Sequence, residues 1–201
     1  RTHTAAVRQG KPLVLTSDLM DDLDTNSSRI SVSFSTGPNL DVPRLLRGLR
    51  QYPYGCLEQT VSKAMPLLYQ NELANYVDGT SKTDDMQPVQ GAIWRILNMQ
   101  RNDGAFGLWS GSDDAEPWLT AFAVDFLGRA KSAGLNVPKR SFDRAISWLK
   151  RKYVSVEVDD AELSVRTYAL YLLARAGQVN PGDVRYLQDT SLDEMNLEDQ
   201  A

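Results

Sequence analysis

From Asp41 onward, apolar side chains recur at spacings of three and four residues, which places them on one face of an α-helix. The first such stretch opens with Asp41 as a capping residue and Pro43 in its first turn. The last strong stretch stops before Gly177, and glycine is the residue most favoured just beyond a helix. The spacing predicts helices over about 41–49, 56–69, 87–100, 117–133, 141–149 (with Ser141 as its cap) and 161–176, a weaker segment opening at Pro181, and a kink or an early end at Pro66.

Two of these predicted helices resemble each other. Residues 120–123 read Thr-Ala-Phe-Ala and residues 167–170 read Thr-Tyr-Ala-Leu, and each segment precedes an apolar face and an Arg-Ala pair. Their separation is about the length of a two-helix repeat. Such a repeat indicates helical hairpins stacked side by side, as in an α/α toroid or a solenoid. We therefore expect a mainly α fold, a partial α/α toroid of helical hairpins.

The first 40 residues have a different pattern, which is typical of β-strands. Residues 12–15 form a short apolar run, and residues 30–34 alternate apolar and polar side chains with period two. A Gly-Pro-Asn turn at 37–39 ends the section. We expect residues 1–40 to be a short β-rich segment of a preceding module, and residues 41–201 to be the helical domain.

Composition and charge are those of an ordinary globular protein. Of the 201 residues, 42% are hydrophobic and 24% are charged, which is ordinary for a globular domain that can bury a core without disulfides or metals. The net charge of −4 disfavours nucleic-acid binding, for which a basic stripe is expected. The first residues lack the apolar core of a signal peptide, which leaves a cytosolic protein or a piece of a larger one. We expect a piece of a larger protein.

The residues with the most distinctive chemistry surround Cys56, the single cysteine. Gln59 follows three residues later, so the two side chains share a face of a helical turn. The Cys56 thiolate could attack the Gln59 amide carbon and expel ammonia, closing a ring of about fifteen atoms. Gly55 is expected to permit unusual dihedral angles before the turn, and Pro53 and Tyr54 to cover a bond that water would hydrolyse.

Other functional interpretations of this sequence remain open. Cys56 could be a small buried hydrophobe, since Cys-x-x-Gln alone is a common pattern. A cysteine hydrolase would need a general base, and the single histidine, His3, is far away in the sequence. An α/α-toroid enzyme of the terpenoid cyclase or prenyltransferase type could use the Asp113-Asp114 pair, which is also consistent with an exposed turn.

Metal sites have weak support in the sequence. One cysteine and one histidine supply too few ligands for zinc. The aspartates Asp18, Asp21 and Asp22 could bind a cation, but a solvated acidic loop is the simpler interpretation. We therefore expect no metal and no cofactor.

Residues 52–60, Tyr-Pro-Tyr-Gly-Cys-Leu-Glu-Gln-Thr, resemble the thioester signature of the bacterial alpha-2-macroglobulins. They are similar to the Gly-Cys-Gly-Glu-Gln form of the animal alpha-2-macroglobulins and complement components, with Leu57 in place of the second glycine. Residues 100–109 and 118–121 resemble further parts of the same domain, which is an α/α toroid in that family. The resemblance covers about residues 40–180. It implies a thioester between Cys56 and Gln59, supported by Tyr54, Gly55, Leu57 and Glu58.

The resemblance also implies a function. It predicts a broad-spectrum protease inhibitor rather than an enzyme, in which lysine amines of an attacking protease open the thioester and become covalently attached. The expected partners are such proteases, the other domains of the same full-length chain and a penicillin-binding protein. The implied location is the periplasm, with an inner-membrane anchor and a role in host defence. The toroid itself is expected to be incomplete within residues 41–201.

We predict that the thioester reacts much faster with amines than with hydroxyl groups. Several complement members carry a downstream histidine that directs transfer to hydroxyls, and no histidine follows Cys56 in this sequence. Either that histidine lies beyond Ala201 or the protein lacks it, and we expect it to be absent. Without an imidazole, an alcohol lacks the general base that it needs to compete with an uncharged amine. Competition between methylamine and glycerol at equal concentration, followed by mass analysis of the Gln59 peptide of the full-length protein, measures the selectivity. Predominant ester formation would contradict the prediction and would point to a histidine beyond Ala201.

Overall fold

A computed structural model describes residues 5–14, 16–21, 24, 32, 34, 55–69, 86–154 and 163–200. The chain divides into two compact units, Arg1–Asn39 and Leu40–Ala201. In the first unit, the described residues form a 3₁₀-helix at Ser17–Met20 and a turn closed by an isolated bridge between Arg8 and Lys11. Residues 12–14 belong to no strand, and most of the 30–34 segment lies outside the described residues. The β character of this unit, and its assignment to a separate module, stay predictions.

The second unit is mainly helical in the part that the structure describes. Every helix predicted there begins within two residues of its expected start, and the helix expected over 141–149 extends to Tyr153. The predicted helix at 41–49 lies outside the described residues. None of the described helices combines the length and apolar composition needed to cross a membrane. The helices are α1 (Leu57–Leu67), α2 (Gln87–Asn98), α3 (Pro117–Ser132), α4 (Lys139–Tyr153), α5 (Leu163–Arg175), α6 (Pro181–Ser191) and α7 (Leu197–Gln200), with a 3₁₀ turn at Leu192–Glu194 between the last two.

The helix ends have local causes. Helix α1 ends one residue after Pro66, as the proline predicts. Helix α5 is closed by Gly177, whose φ of 68° lets the Gln178 N–H donate to the Leu173 carbonyl at 2.8 Å. The prediction that Ser141 caps α4 is wrong. The helix begins two residues earlier because Pro138 is already fixed near helical φ and its carbonyl accepts the N–H groups of residues 141 and 142.

The helices pack in two layers. Helix α3 contacts both α1 and α5, so these three form one layer. Helix α2 packs on α1, and α4 packs across α3 and α5, so α2 and α4 form the second layer. Alternate helices therefore lie in alternate layers, the arrangement of stacked helical hairpins expected for part of an α/α toroid. The shared core contains fully buried side chains from every one of these helices, including Val61, Ile93, Phe126, Leu149 and Leu173.

A buried carboxylate on α3 links this helix to α5 and, through an arginine, to the region just after α1. Asp125 of α3 is 5% exposed. Its Oδ1 accepts from Arg129 Nε and from Arg175 Nη1, each at 2.8 Å, and its Oδ2 accepts from the Tyr168 hydroxyl at 3.0 Å. Arg129 also donates to the hydroxyl of Tyr69, just beyond α1. Burial and the neighbouring carboxylate raise the pKa of Tyr168, and hydrogen bonding to the Asp125 carboxylate raises the pKa of Arg129, so both groups hold their protons more tightly as donors to Asp125.

We predict that Asp125→Ala lowers the free energy of unfolding by about 2 to 4 kcal/mol, because it leaves two arginines without their buried partner. Asp143→Ala is the matched control, since Asp143 forms an exposed i,i+4 pair with Lys139 and should lose less than about 0.5 kcal/mol. Urea unfolding of the two variants measures the difference. Equal losses would show that the Asp125 cluster has no special role in stability.

Candidate functional site

Cys56 is the N-cap of α1, with extended dihedral angles before the first helical turn. The side chain is a free thiol and is 6% exposed. Its carbonyl accepts from the Thr60 N–H at 2.9 Å, which starts the helix. The next N–H, that of Leu57, points away from the helix and donates to the Leu108 carbonyl at 2.8 Å. The thiol therefore lies at a junction between α1 and a distant loop.

Gln59 lies in the first turn of α1, three residues after Cys56, as the sequence predicts. Gln59 is partly buried as a whole, and its Oε1 atom is buried without a hydrogen-bond donor among the described residues. An unsatisfied buried acceptor costs about 1 to 3 kcal/mol, so such an atom is uncommon in a folded protein. The structure thus brings a buried thiol and an amide carbonyl that lacks a donor among the described residues into one helical turn.

Gly55 contributes to the site in a way other than the expected one. The prediction that it supplies unusual dihedral angles is wrong, because its φ lies outside the positive region. Instead, a Cβ atom at this position would lie 2.1 Å from Nη2 of Arg95, so the guanidinium packs directly against the glycine. The same Arg95 donates from Nε to the Gly55 carbonyl at 3.2 Å. Sequence reasoning missed Arg95 because it lies on α2, 40 residues away, and no local pattern links the two.

The other residues predicted to support the motif differ in role. Leu57 is fully buried in the core and fixes the start of α1. Glu58 is exposed in the first turn, where a negative charge interacts favourably with the helix dipole. Tyr54, like Pro53, lies outside the described residues, so its expected covering role stays a prediction.

The loop that receives the Leu57 N–H runs from Met99 to Glu116 and is held at several points. Gln100 and Phe106 form an isolated antiparallel bridge, and the Phe106 N–H donates to the hydroxyl of Thr120 on α3 at 3.0 Å. The Gln100 amide donates to the Ser141 carbonyl at 2.8 Å and accepts from Arg144 Nη2 at 2.8 Å, which ties the loop to α4. Residues 100–109, which resemble a segment of the family's domain, therefore lie in the loop that binds the first residue of α1.

Asp113 closes a turn within this loop. Its Oδ2 accepts from the backbone N–H groups of Trp109 at 2.6 Å and Ser110 at 2.8 Å. These two bonds, the Ser110 hydroxyl and the charge of Arg101 hold the pKa of Asp113 below its ordinary value of 3.8. The carboxylate that an α/α-toroid enzyme would use is thus occupied in holding a turn, and Asp114 beside it is exposed. Among the residues that the structure describes, no cluster of His, Cys, Asp and Glu is suited to a metal ion.

Residues 30–155 match the family described as the A-macroglobulin TED domain. Alpha-2-macroglobulin of Escherichia coli strain K12 is 32% identical over 203 residues, which cover 95% of this chain and 12% of the relative. Alpha-2-macroglobulin of Xylella fastidiosa strain Temecula1 is 28% identical over 200 residues, which cover 94% of this chain and 12% of the relative. The chain therefore spans about an eighth of the length of these two relatives.

Solved structures show the same similarity in three dimensions. Native alpha-2-macroglobulin from Escherichia coli, in a structure from domain MG7 to the C-terminus, superposes with a TM-score of 0.66 and 34% identity, covering 78% of this chain and 26% of that one. Salmonella alpha-2-macroglobulin reacted with methylamine superposes with a TM-score of 0.63 and 36% identity, covering 76% and 11%. The predicted fold class is confirmed by these neighbours and by the helical architecture.

We predict that the wild-type protein is more thermally stable than Asp113→Asn at neutral pH, and that this difference disappears in acid. Because folding depresses the pKa of Asp113, its stabilising effect is complete above the unfolded value and is lost as pH falls through the folded value. The difference in melting temperature should shrink from about pH 4 downward. Ser112→Ala, in the same turn but without a titrating group, is the control and should differ from wild type equally at every pH. A difference for Asp113→Asn that does not change with pH would contradict the assignment.

Proposed function

Since this chain belongs to the alpha-2-macroglobulin family, we propose that Cys56 and Gln59 form an internal thioester through which the full-length protein captures attacking proteases covalently. The observation that carries the proposal is the position of the buried Cys56 thiol and the Gln59 carbonyl, which has no donor among the described residues, in a single helical turn. That turn lies inside the region that matches the A-macroglobulin TED domain. The methylamine reaction named for the Salmonella relative is the chemistry expected of such a bond.

Formation of the thioester needs no external reagent. The Cys56 thiolate attacks the Gln59 amide carbon, a C–S bond forms, the C–N bond breaks, and the nitrogen leaves as ammonia with the proton that the thiol supplied. Residues 56 and 59 are already fixed by the first turn of α1, so the reaction is intramolecular and gains from pre-set orientation. Folding therefore stores an electrophile.

Capture uses the electrophile once. An uncharged lysine amine of a protease attacks the Gln59 carbonyl carbon, a C–N amide bond forms, and the C–S bond breaks to release the Cys56 thiol. The amine proton passes to solvent or to the departing sulfur. The steps are those of covalent catalysis without turnover, so we propose an inhibitor rather than an enzyme.

Burial supports a stored rather than a spent electrophile. Cys56 is almost fully enclosed, and the Gln59 carbonyl oxygen has no donor among the described residues. A donor aimed at that oxygen would stabilise the oxyanion of attack and accelerate hydrolysis. Its absence from the described surroundings is consistent with a bond that stays latent until another event exposes it.

The α/α-toroid enzyme receives no support from the site. Its candidate acid, Asp113, is held by backbone N–H groups in a turn with a lowered pKa, which suits a structural carboxylate rather than a proton donor. We therefore retain the protease-trapping function.

The wider biology is proposed from the family resemblance alone. We propose that the full-length protein resides in the periplasm, anchored to the inner membrane, where it acts in host defence with a penicillin-binding protein as a partner. The other domains of the same chain would supply the segment that proteases cleave. Cell fractionation and co-purification of the full-length protein test this location and these partners.

We predict that the freshly purified full-length protein is lighter than its sequence mass by one ammonia and has no reactive thiol at Cys56. Methylamine should restore one thiol and add to Gln59. Gln59→Glu keeps the shape of the side chain but removes the amide, so it should show a free thiol from the start and fail to retain protease covalently. Cys56→Ala should abolish capture with a stability loss of about 1 kcal/mol or less, plus any cavity contribution.

Intact mass spectrometry, thiol titration and denaturing gel analysis after protease addition give the three readouts. Wild-type protein pretreated with methylamine is the control for non-covalent trapping. A free Cys56 together with an unmodified Gln59 amide in the fresh full-length protein would overturn the proposal.

A further inference from the structure

We propose that Arg95 is a positioning residue for the thioester, holding the Gly55–Cys56 peptide so that the sulfur faces the Gln59 amide carbon. This inference rests on the proposed function and assigns a role to a side chain outside the signature. Arg95 lies in the last turn of α2, and it reaches the motif across the α1–α2 contact.

The contact between Arg95 and Gly55 has two parts. Nε donates to the Gly55 carbonyl at 3.2 Å. The plane of the guanidinium also occupies the place of a side chain at residue 55, since a Cβ atom there would lie 2.1 Å from Nη2 and 2.3 Å from Cζ. Arg95 therefore accounts for the glycine at position 55, because a side chain at that position would displace the guanidinium.

Cys56 is held from both sides along the backbone. On one side, the Gly55 carbonyl is bound by Arg95. On the other side, the Leu57 N–H is bound by the Leu108 carbonyl at 2.8 Å. The two bonds flank the residue that carries the sulfur, so together they set where its side chain points. A displacement of about 1 Å in such a geometry can slow a reaction by about a hundredfold.

The location of Arg95 separates this role from stabilisation of the core. Helix α2 is anchored by Val89, Ile93 and Ile96 on its buried face, whereas Arg95 is exposed. The side chain borders a groove of about 320 Å³ between α1 and α2, which has room for a displaced guanidinium. Removing the side chain should therefore disturb the chemistry at Cys56 more than the fold.

The geometry makes a specific prediction about Gly55→Ala. The added methyl group meets the far end of a flexible arginine side chain, so the arginine moves and the contact is lost. Gly55→Ala and Arg95→Ala should then have the same effect, and the double variant should add little, because both act through one contact. Lysine can supply the charge and a hydrogen bond from its ammonium group but not the planar guanidinium, so Arg95→Lys should recover only part of the effect.

The test uses the full-length protein and compares Arg95→Ala, Arg95→Lys, Gly55→Ala and the double variant. The measured quantity is the ratio of thioester-bearing to open molecules after purification, from intact mass and thiol titration, together with the melting temperature. We expect the ratio to fall by about tenfold in the alanine variants, with a small change in melting temperature. Gly91→Ala is the matched control, since Gly91 lies on the same helix as Arg95 and a Cβ atom added there would meet nothing within 4 Å. It should leave the ratio unchanged and raise the melting temperature slightly.

The outcomes are distinguishable. A wild-type protein without any thioester would refute the proposed function itself. A wild-type thioester with an unchanged ratio in Arg95→Ala would overturn only the role of Arg95, as would full additivity of the two alanine substitutions. If Arg95→Ala fails to fold, Arg95→Lys and Gly55→Ala still decide the question, and a wild-type ratio in both would overturn the inference.

Discussion

The hydrogen bond from the Leu57 N–H to the Leu108 carbonyl joins the first residue of α1 to a loop 51 positions later in the chain. The N–H groups of a first helical turn have no partner within their own helix, so one of them is free to make this long-range contact. The loop can accept it because its own bonds to α3 and α4, through Phe106 and Gln100, hold it in place. The position of the Cys56 thiol depends on this hydrogen bond, since Cys56 directly precedes Leu57.

Much of the helical fold could be predicted from the sequence, because amphipathic spacing is a local signal. Helices α2 and α3 begin at Gln87 and Pro117 as predicted, and Gly177 closes α5 by the expected left-handed turn. Ser141 failed as a cap because serine is favoured at caps in general, whereas Pro138 decides the outcome at this site by its fixed φ and its carbonyl.

The candidate site could be predicted only in part. Cys56 and Gln59 were identified because their spacing and their surrounding signature are contiguous in sequence. Arg95 and Leu108 were not, since the first meets Gly55 and the second meets Leu57 only after the helices have packed. The same holds for Asp125, whose partners Tyr168 and Arg175 lie on a different helix, α5. Non-local polar contacts of this kind have no periodicity that a single sequence reveals.

The position of Cys56 and Gln59 within one helical turn has a mechanical consequence. A bond between residues i and i+3 is a covalent staple, and it would hold the backbone of residues 56–59 in the conformation that starts α1. The first turn is the costly step of helix formation, because several dihedral angles are fixed before many hydrogen bonds form. Opening the proposed thioester would remove the staple at the same moment as it attaches the protease. From then on, the start of α1 would rely on non-covalent contacts such as the Leu57–Leu108 bond, so chemical capture and local loosening of the helix would be one event.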